Sequence, residues 1–229
     1  MTIKLVIILV LLWNLLTVCA AVMINIYNGA NHFREGGFIT ILSVIQLLAI
    51  SFLSFKIFLA RDVTRVRSLL KKPSILWAII GLGFLFLAAD EYFLIHENID
   101  RLTHHVFNLQ ETGLTDRIDD ILVGLYGLAG IGVLIAYREE LKMYRETFKF
   151  FIIGFVLLFT MVALDILTNR EDILSLIIDH HQVALVHHFL SRTEESLKVF
   201  SEAFFVIAFY GISQKAKPSE EEAVVSTIG

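Results

Sequence analysis

Four ionisable residues stand within eight positions at the end of an apolar stretch. Asp90 and Glu91 are followed, after four residues, by His96 and Glu97, in the pattern D-E-x4-H-E. Carboxylates and imidazoles bind zinc or iron, and they also take and give protons near neutral pH. A single helix through this stretch aligns Asp90 with Glu97 and places Glu91 and His96 on opposite sides of that line. The pattern predicts a metal or acid–base site.

Further acidic residues occur in or next to three other apolar segments. Asp120 immediately precedes one of them, Asp165 lies near the end of the next, Glu195 immediately precedes the last, and Glu202 lies within it. A charged side chain at mid-membrane costs at least ~2.5 kcal/mol, so these groups should face protein, water or a cation. We predict one metal site near the outer membrane face. Its predicted ligands are Asp90, Glu91, His96, Asp120, Asp165, Glu195 and Glu202.

The chemistry predicted for this site is that of a metal-dependent membrane enzyme, with Glu91 and Glu97 as catalytic carboxylates. A hydrolase would use metal-bound water against a lipid-like ester, amide or phosphate, and an oxidoreductase would use a carboxylate-bridged pair of iron ions. The sequence contains neither E-x-x-H nor H-E-x-x-H. The prediction of a divalent or transition metal, zinc or iron, therefore depends on residue type rather than on spacing.

The composition indicates a protein whose main solvent is lipid. Hydrophobic residues make up 56% of the chain and charged residues 18%, against about a quarter in soluble domains. The mean hydropathy is +0.72. A net charge of −4 without a basic block excludes nucleic acid as an expected partner. The expected partners are the bilayer and a lipid-like small molecule, and no protein partner is indicated.

Six apolar segments are candidates for membrane spans, which need about 20 mostly apolar residues each. The first is interpreted as a retained helix rather than a cleaved signal, because its apolar core is too long for a signal peptide. Asn14 and Gln46 are isolated polar groups for which we predict hydrogen bonds between helices. The candidates are Ile3–Ile24, Phe38–Leu59, Ile75–Ile95, Ile121–Tyr137, Phe148–Leu167 and about Ser196–Ile212.

The distribution of basic residues predicts the orientation of the spans. Lysine and arginine are concentrated in the second and fourth loops and in the C-terminal tail, which should therefore lie in the cytoplasm. The fold class is then all-α, a polytopic helix bundle with six spans and both termini cytoplasmic. Residues 1–213 form the predicted transmembrane domain, and residues 214–229 form a short polar tail that we expect to be disordered.

Two other classes of function remain open. A proton or cation channel or transporter would use the acidic groups as a vestibule, although the cytoplasmic halves of the later spans lack ionisable groups other than tyrosine. Gly124, Gly127, Gly130 and Gly132 could thin the packing there, but close helix contact is the commoner use of such glycines. An accessory subunit would use a network of carboxylates with Lys198 only to pair helices.

Two short stretches carry a resemblance to a known family. The pattern from Asp90 to Glu97, together with E-E-S-L-K at Glu194–Lys198, resembles an uncharacterised family of multi-pass bacterial membrane proteins. The resemblance implies a multi-pass membrane fold, a bacterial inner-membrane location and no particular activity. It also implies that Asp90, Glu91, His96, Glu97, Glu194 and Glu195 belong to one set.

Overall fold

The computed structural model describes residues 2–61, 74–108, 118–168 and 180–216, and every regular element in these ranges is helical. The all-α prediction is confirmed for these residues. The predicted tail lies outside them from residue 217 onward. The α-helices are α1 (Ile3–Asn28), α2 (Phe38–Arg61), α3 (Ile75–Phe93), α4 (Ile95–Phe107), α5 (Ile118–Ala136), α6 (Arg138–Lys142), α7 (Phe148–Thr168) and α8 (His180–Lys215), with a 3₁₀ turn at Arg145–Thr147.

Within the described ranges, five segments are long and apolar enough to cross a membrane, and the protein is therefore an integral membrane protein. They lie in α1, α2, α3, α7 and α8. The apolar part of α5, Gly124–Ala136, is shorter. The last helix has 36 residues and is about 54 Å long, well above the ~30 Å of a hydrocarbon core. The polar residues before the last predicted span are therefore helical as well.

The stretch from Asp90 to Glu97 is not one helix. Helix α3 ends at Phe93 and α4 begins at Ile95, and Leu94 between them has φ 54° and ψ 48°. This left-handed conformation costs a residue with a Cβ roughly 1–2 kcal/mol and cannot continue a right-handed helix. The predicted alignment of Asp90 with Glu97 is therefore wrong, because the chain changes direction between them.

The chain divides into two compact units, Met1–Gln46 with Thr147–Tyr210 and Leu47–Glu146 with Gly211–Gly229. In the first unit, Gln46 Nε2 donates a hydrogen bond to Asn14 Oδ1 at 3.0 Å, and both residues are buried. This contact joins α1 to α2 and confirms the bond predicted between helices. Amide pairs of this kind hold membrane helices together because lipid offers no alternative partner.

Close packing between α7 and α8 in the first unit depends on Gly154. Its carbonyl accepts a hydrogen bond from Ser201 Oγ at 2.9 Å, and a Cβ at this position would lie 2.7 Å from the ring of Phe205. In the second unit, Ser51 Oγ donates to the Gly81 carbonyl at 2.7 Å, and a Cβ on Gly81 would lie 3.1 Å from the ring of Phe55. Small residues thus let helices approach closely in both units.

The four glycines of α5 do not have this role. A Cβ added to Gly124, Gly127, Gly130 or Gly132 meets nothing within 4 Å among the described residues. The close helix contact expected from their spacing is therefore wrong for the described part of the chain. Spacing alone did not distinguish them from Gly81 and Gly154, because the effect of a missing Cβ depends on the facing helix.

Candidate functional site

The carboxylate of Asp90 holds His96 through two hydrogen bonds. Asp90 Oδ1 accepts the backbone N–H of His96 at 2.8 Å, and Asp90 Oδ2 lies 2.9 Å from His96 Nδ1. Asp90 is buried, whereas the imidazole is partly open. One carboxylate therefore fixes both the backbone and the ring of the same histidine.

The break at Leu94 makes this geometry possible. The first N–H groups of α4 have no partner within their own helix, and the Asp90 side chain satisfies one of them at His96. Asn98 Nδ2 donates to the Phe93 carbonyl at 3.0 Å, and so satisfies one of the acceptors left at the end of α3. The strained residue is thus held by side chains from both sides of the break.

The Asp90–His96 pair defines the proton position on the ring. An ionised carboxylate only accepts hydrogen bonds, so the neutral imidazole facing it carries its proton on Nδ1. The lone pair is then on Nε2, the ring nitrogen that does not contact Asp90. A histidine held in this way by a carboxylate is the arrangement used for general-base catalysis. The pair can therefore take a proton at Nε2.

A second carboxylate and imidazole lie on the same side of α4. His104 Nε2 is 3.8 Å from Asp100 Oδ1, one helical turn earlier, and both side chains are largely buried. His96, Asp100 and His104 follow at intervals of four residues and share one face of the helix. The polar face of α4 is therefore turned toward the protein.

The other residues predicted for the site have different surroundings. In the second unit, Glu91 is half-buried, and Glu97 accepts a hydrogen bond from Arg101 at 3.1 Å. The side chain of Asp120, which lies in α5, is outside the described residues. The catalytic role of Glu91 and Glu97 stays a prediction. Of the predicted set, the structure brings Asp90 and His96 together.

The remaining predicted ligands belong to the first unit. Asp165 is half-buried in α7, and Glu195 pairs with Lys198 at 2.8 Å. The buried Glu202 accepts a hydrogen bond from Ser43 Oγ at 2.7 Å. Within the residues that the structure describes, no three His, Cys, Asp or Glu side chains form a group that could hold a metal ion. The predicted metal site therefore has no support from this part of the chain.

The second unit contains a buried ion pair that the sequence does not indicate. Arg61 Nε donates to Glu140 Oε1 at 2.9 Å, and a second guanidinium nitrogen donates to Glu140 Oε2 at 2.7 Å. Trp77 Nε1 also donates to Glu140 Oε1, at 3.0 Å. The cluster joins the end of α2, the start of α3 and the short helix α6. In the sequence, Arg61 is one of several basic residues at the second loop, and no local motif marks its partner.

Neighbouring carboxylates in α6 have opposite surroundings. The exposed Glu139 accepts a hydrogen bond from Lys142 Nζ at 2.6 Å, and this bond lowers the pKa of Glu139. Glu140 faces the interior, where the ring of Tyr144 packs edge-on against Trp77 at a centroid distance of 5.6 Å. Burial raises the pKa of Tyr144, and the Glu140 charge adds to the effect while Arg61 opposes it. Sequence position alone does not separate the two glutamates.

Comparison with known proteins gives one family and no activity. A family model described as Domain of unknown function (DUF8692) matches residues 3–212. No curated protein and no solved structure matches the chain. The match covers nearly all of the described helices.

Proposed function

Because the chain belongs to the DUF8692 family, whose description assigns no activity, we propose its function from the geometry of its site. The protein is a membrane enzyme that hydrolyses a lipid-like ester, amide or phosphate, with His96 as the general base. The observation that carries this proposal is the double contact of Asp90 with His96.

The chemistry requires few groups. His96 Nε2 takes a proton from water, and the oxygen of that water attacks the carbonyl or phosphoryl centre. The bond to the leaving group then breaks, and the imidazolium returns its proton to the departing alkoxide or amine. Asp90 stabilises the charged ring in between and keeps it oriented. Water and substrate give acid and alcohol, or acid and amine, and the histidine is regenerated.

The location of the pair supports an amphiphilic substrate. Asp90 lies three residues before the end of α3, an apolar helix long enough to span a bilayer. Its partner lies in the first turn of α4. A lipid reaches this depth from within its own leaflet, whereas a strongly polar solute would have to approach from water.

We infer a finer topology to accompany this function. Helix α5 is the fourth of six spans, and both termini lie in the cytoplasm of a bacterium, with the protein in the inner membrane. The support is the concentration of lysine and arginine in the second and fourth loops. In this orientation the Asp90–His96 pair acts at the extracytoplasmic face.

A screen of defined lipids tests the enzyme proposal. The purified full-length protein is reconstituted with ester, amide and phosphodiester lipids, and products are followed by mass spectrometry. We expect turnover of at least one class, its loss in His96→Gln, and its retention in His105→Gln, an exposed histidine on the same helix. Absence of turnover in every class, or equal turnover in His96→Gln, overturns the proposal.

Elemental analysis of the same samples tests the metal-dependent form of this enzyme. A metal bound by Asp90, Glu91 or His96 would be present in stoichiometric amount in the wild type and reduced in His96→Gln. If protein handled without chelator contains no stoichiometric transition metal, the hypothesis of a zinc or iron enzyme is wrong. The proton-transfer mechanism of His96 does not depend on a metal and would be unaffected by that result.

A second candidate function, proton or cation transport, is favoured by Glu202. This buried carboxylate lies thirteen residues before the end of α8, or about 20 Å along the helix. It accepts a hydrogen bond from Ser43 Oγ on α2. Intramembrane carboxylates of this kind are typical of proton relays. The acidic group would then take up and release the transported ion.

Transport predicts an effect of Glu202→Gln on ion flux. Liposomes containing the protein should pass protons or monovalent cations, and the variant should reduce that flux at least tenfold because the neutral amide cannot exchange a proton. Flux is measured with an internal pH dye and an imposed potential. Glu139→Gln, which changes an exposed carboxylate, is the control. Equal flux in wild type and Glu202→Gln rules the carboxylate out as the relay.

A further inference from the structure

The apolar side of α4 faces away from the protein. Ile99, Leu102 and Val106 follow at intervals of three and four residues and therefore share one side of this helix. Leu102 is 60% exposed and Val106 is 63% exposed. Phe107, in the last turn, is also exposed, but it lies on another side of the helix, seven residues after Asp100.

The polar side of the same helix faces inward. The side chains of Asp100 and His104 are 19% and 13% exposed, although both are ionisable. His96, one turn earlier on this side, is held by Asp90. A helix packed on a protein in water has the reverse arrangement, with its apolar side covered and its charges outside. The inversion indicates that the surroundings of α4 are apolar.

The neighbouring helix identifies these surroundings. Helix α3 is one of the segments able to cross a bilayer, and α4 begins two residues after α3 ends. At the end of α3, Tyr92 and Phe93 are exposed, as is common for aromatic residues at the membrane surface. Because the left-handed residue Leu94 ends α3, helix α4 does not continue along the axis of α3.

We propose that α4 is an interfacial helix that lies in the leaflet where α3 ends. Its apolar side, Ile99, Leu102 and Val106, is covered by lipid, with the side chains inserted among the acyl chains just below the headgroups. Amphipathic helices of this kind insert their apolar face about 5–10 Å into the boundary between headgroups and acyl chains. This assignment requires no catalytic or transport activity and holds for either orientation of the chain.

The position of Arg101, next to Leu102 in the sequence, fits this location. Arg101 is exposed and adjoins Leu102, with its guanidinium bonded to Glu97. A long basic side chain beside an inserted leucine reaches the headgroup layer while its aliphatic part stays in the apolar region. The polar groups on the opposite side, Asp100 and His104, remain directed at the protein.

Nitroxide accessibility in vesicles tests the proposal directly. Leu102→Cys and, separately, Val106→Cys are introduced into a Cys19→Ser background, because Cys19 is the single native cysteine. Arg101→Cys is the matched control, one residue from Leu102 and also exposed. Each protein is spin-labelled and reconstituted in vesicles of phosphatidylcholine and phosphatidylglycerol at 3:1, and collision with oxygen and with a water-soluble nickel chelate is measured.

We expect the labels at 102 and 106 to collide readily with oxygen and several-fold less with the nickel chelate than the label at 101. Nickel accessibility at 102 and 106 equal to that at 101 would place α4 in water and overturn the proposal. Protection of 102 and 106 from both reagents would show that protein, a second copy or another partner, covers this face, and would overturn it as well.

Discussion

Replacing Glu140 with glutamine is expected to lower the free energy of unfolding by about 3–5 kcal/mol, the usual cost of leaving one partner of a buried ion pair alone. Glu140 is only 3% exposed at its side chain, and both carboxylate oxygens bond the Arg61 guanidinium. The amide retains one acceptor for Trp77 Nε1 but no negative charge. Arg61 would then keep its charge in a site closed to water, with no carboxylate to balance it.

The measurement is unfolding of the purified protein in detergent micelles, by heat and by titration with sodium dodecyl sulfate. Glu139→Gln is the matched control: it removes the adjacent carboxylate, whose side chain is 72% exposed. We expect its melting temperature to equal that of the wild type, because exposed pairs contribute little. A melting temperature for Glu140→Gln indistinguishable from that of Glu139→Gln would contradict the buried pair.

A double variant separates the charge from the packing. Arg61→Met with Glu140→Leu removes both charges and keeps apolar volume in their place. Buried ion pairs replaced in this way usually lose little stability and sometimes gain it. We expect the double variant to unfold at higher detergent concentration than Glu140→Gln. Recovery should be incomplete, because Trp77 Nε1 then loses its acceptor inside the cluster.

Much of the fold could be predicted from the sequence because hydropathy has a direct physical cause. Lipid cannot hydrogen-bond a bare backbone, so long apolar segments must form helices. Four of the six predicted spans lie within observed helices, and the isolated Asn14 and Gln46 bond each other as expected. The third predicted span runs across the break at Leu94, and the fourth ends one residue beyond α5. The break at Leu94 could not be predicted in this way, since leucine is a good helix former and neither glycine nor proline marks the position.

The site was less predictable, because it depends on the directions of side chains, which the spacing of residues in the sequence does not encode. His96 reaches Asp90 only because the chain turns at Leu94, and a continuous helix would have placed the two side chains apart. The partner of Arg61 lies 79 residues away in a helix of five residues. A contact between residues so far apart in the sequence depends on how three helix ends pack together. Residue type alone does not indicate that packing.

Asp90 does two tasks that one substitution can separate. Its carboxylate accepts the backbone N–H at the start of α4 and also fixes the proton of the His96 ring on Nδ1. Asparagine can keep the first contact through Oδ1. At the second contact, however, its Nδ2 group is a donor, so the imidazole must offer a lone pair at Nδ1 and carry its proton on Nε2. The ring would remain in place, but Nε2 would already carry a proton and could not act as a base.

Asp90→Asn should therefore reduce lipid turnover roughly 10³–10⁴-fold, the effect known for a wrong histidine tautomer, while stability changes by less than about 1 kcal/mol. Asp90→Ala should lose the same activity and also about 1–2 kcal/mol of stability, because the N-terminus of α4 loses its acceptor. The two variants differ in unfolding and agree in turnover only if catalysis needs the His96 tautomer that Asp90 fixes.

The tautomer itself can be observed without any substrate. Nitrogen-15 spectra of histidine-labelled protein resolve protonated from unprotonated ring nitrogens, and subtraction of the His96→Gln spectrum identifies His96 among the eight histidines. We expect an unprotonated Nε2 in the wild type and a protonated Nε2 in Asp90→Asn. If Asp90→Asn keeps the wild-type tautomer and full turnover, Asp90 serves only to begin α4, and the general base must be sought elsewhere. A changed tautomer with unchanged turnover would remove His96 from the mechanism while leaving the geometry of the pair intact.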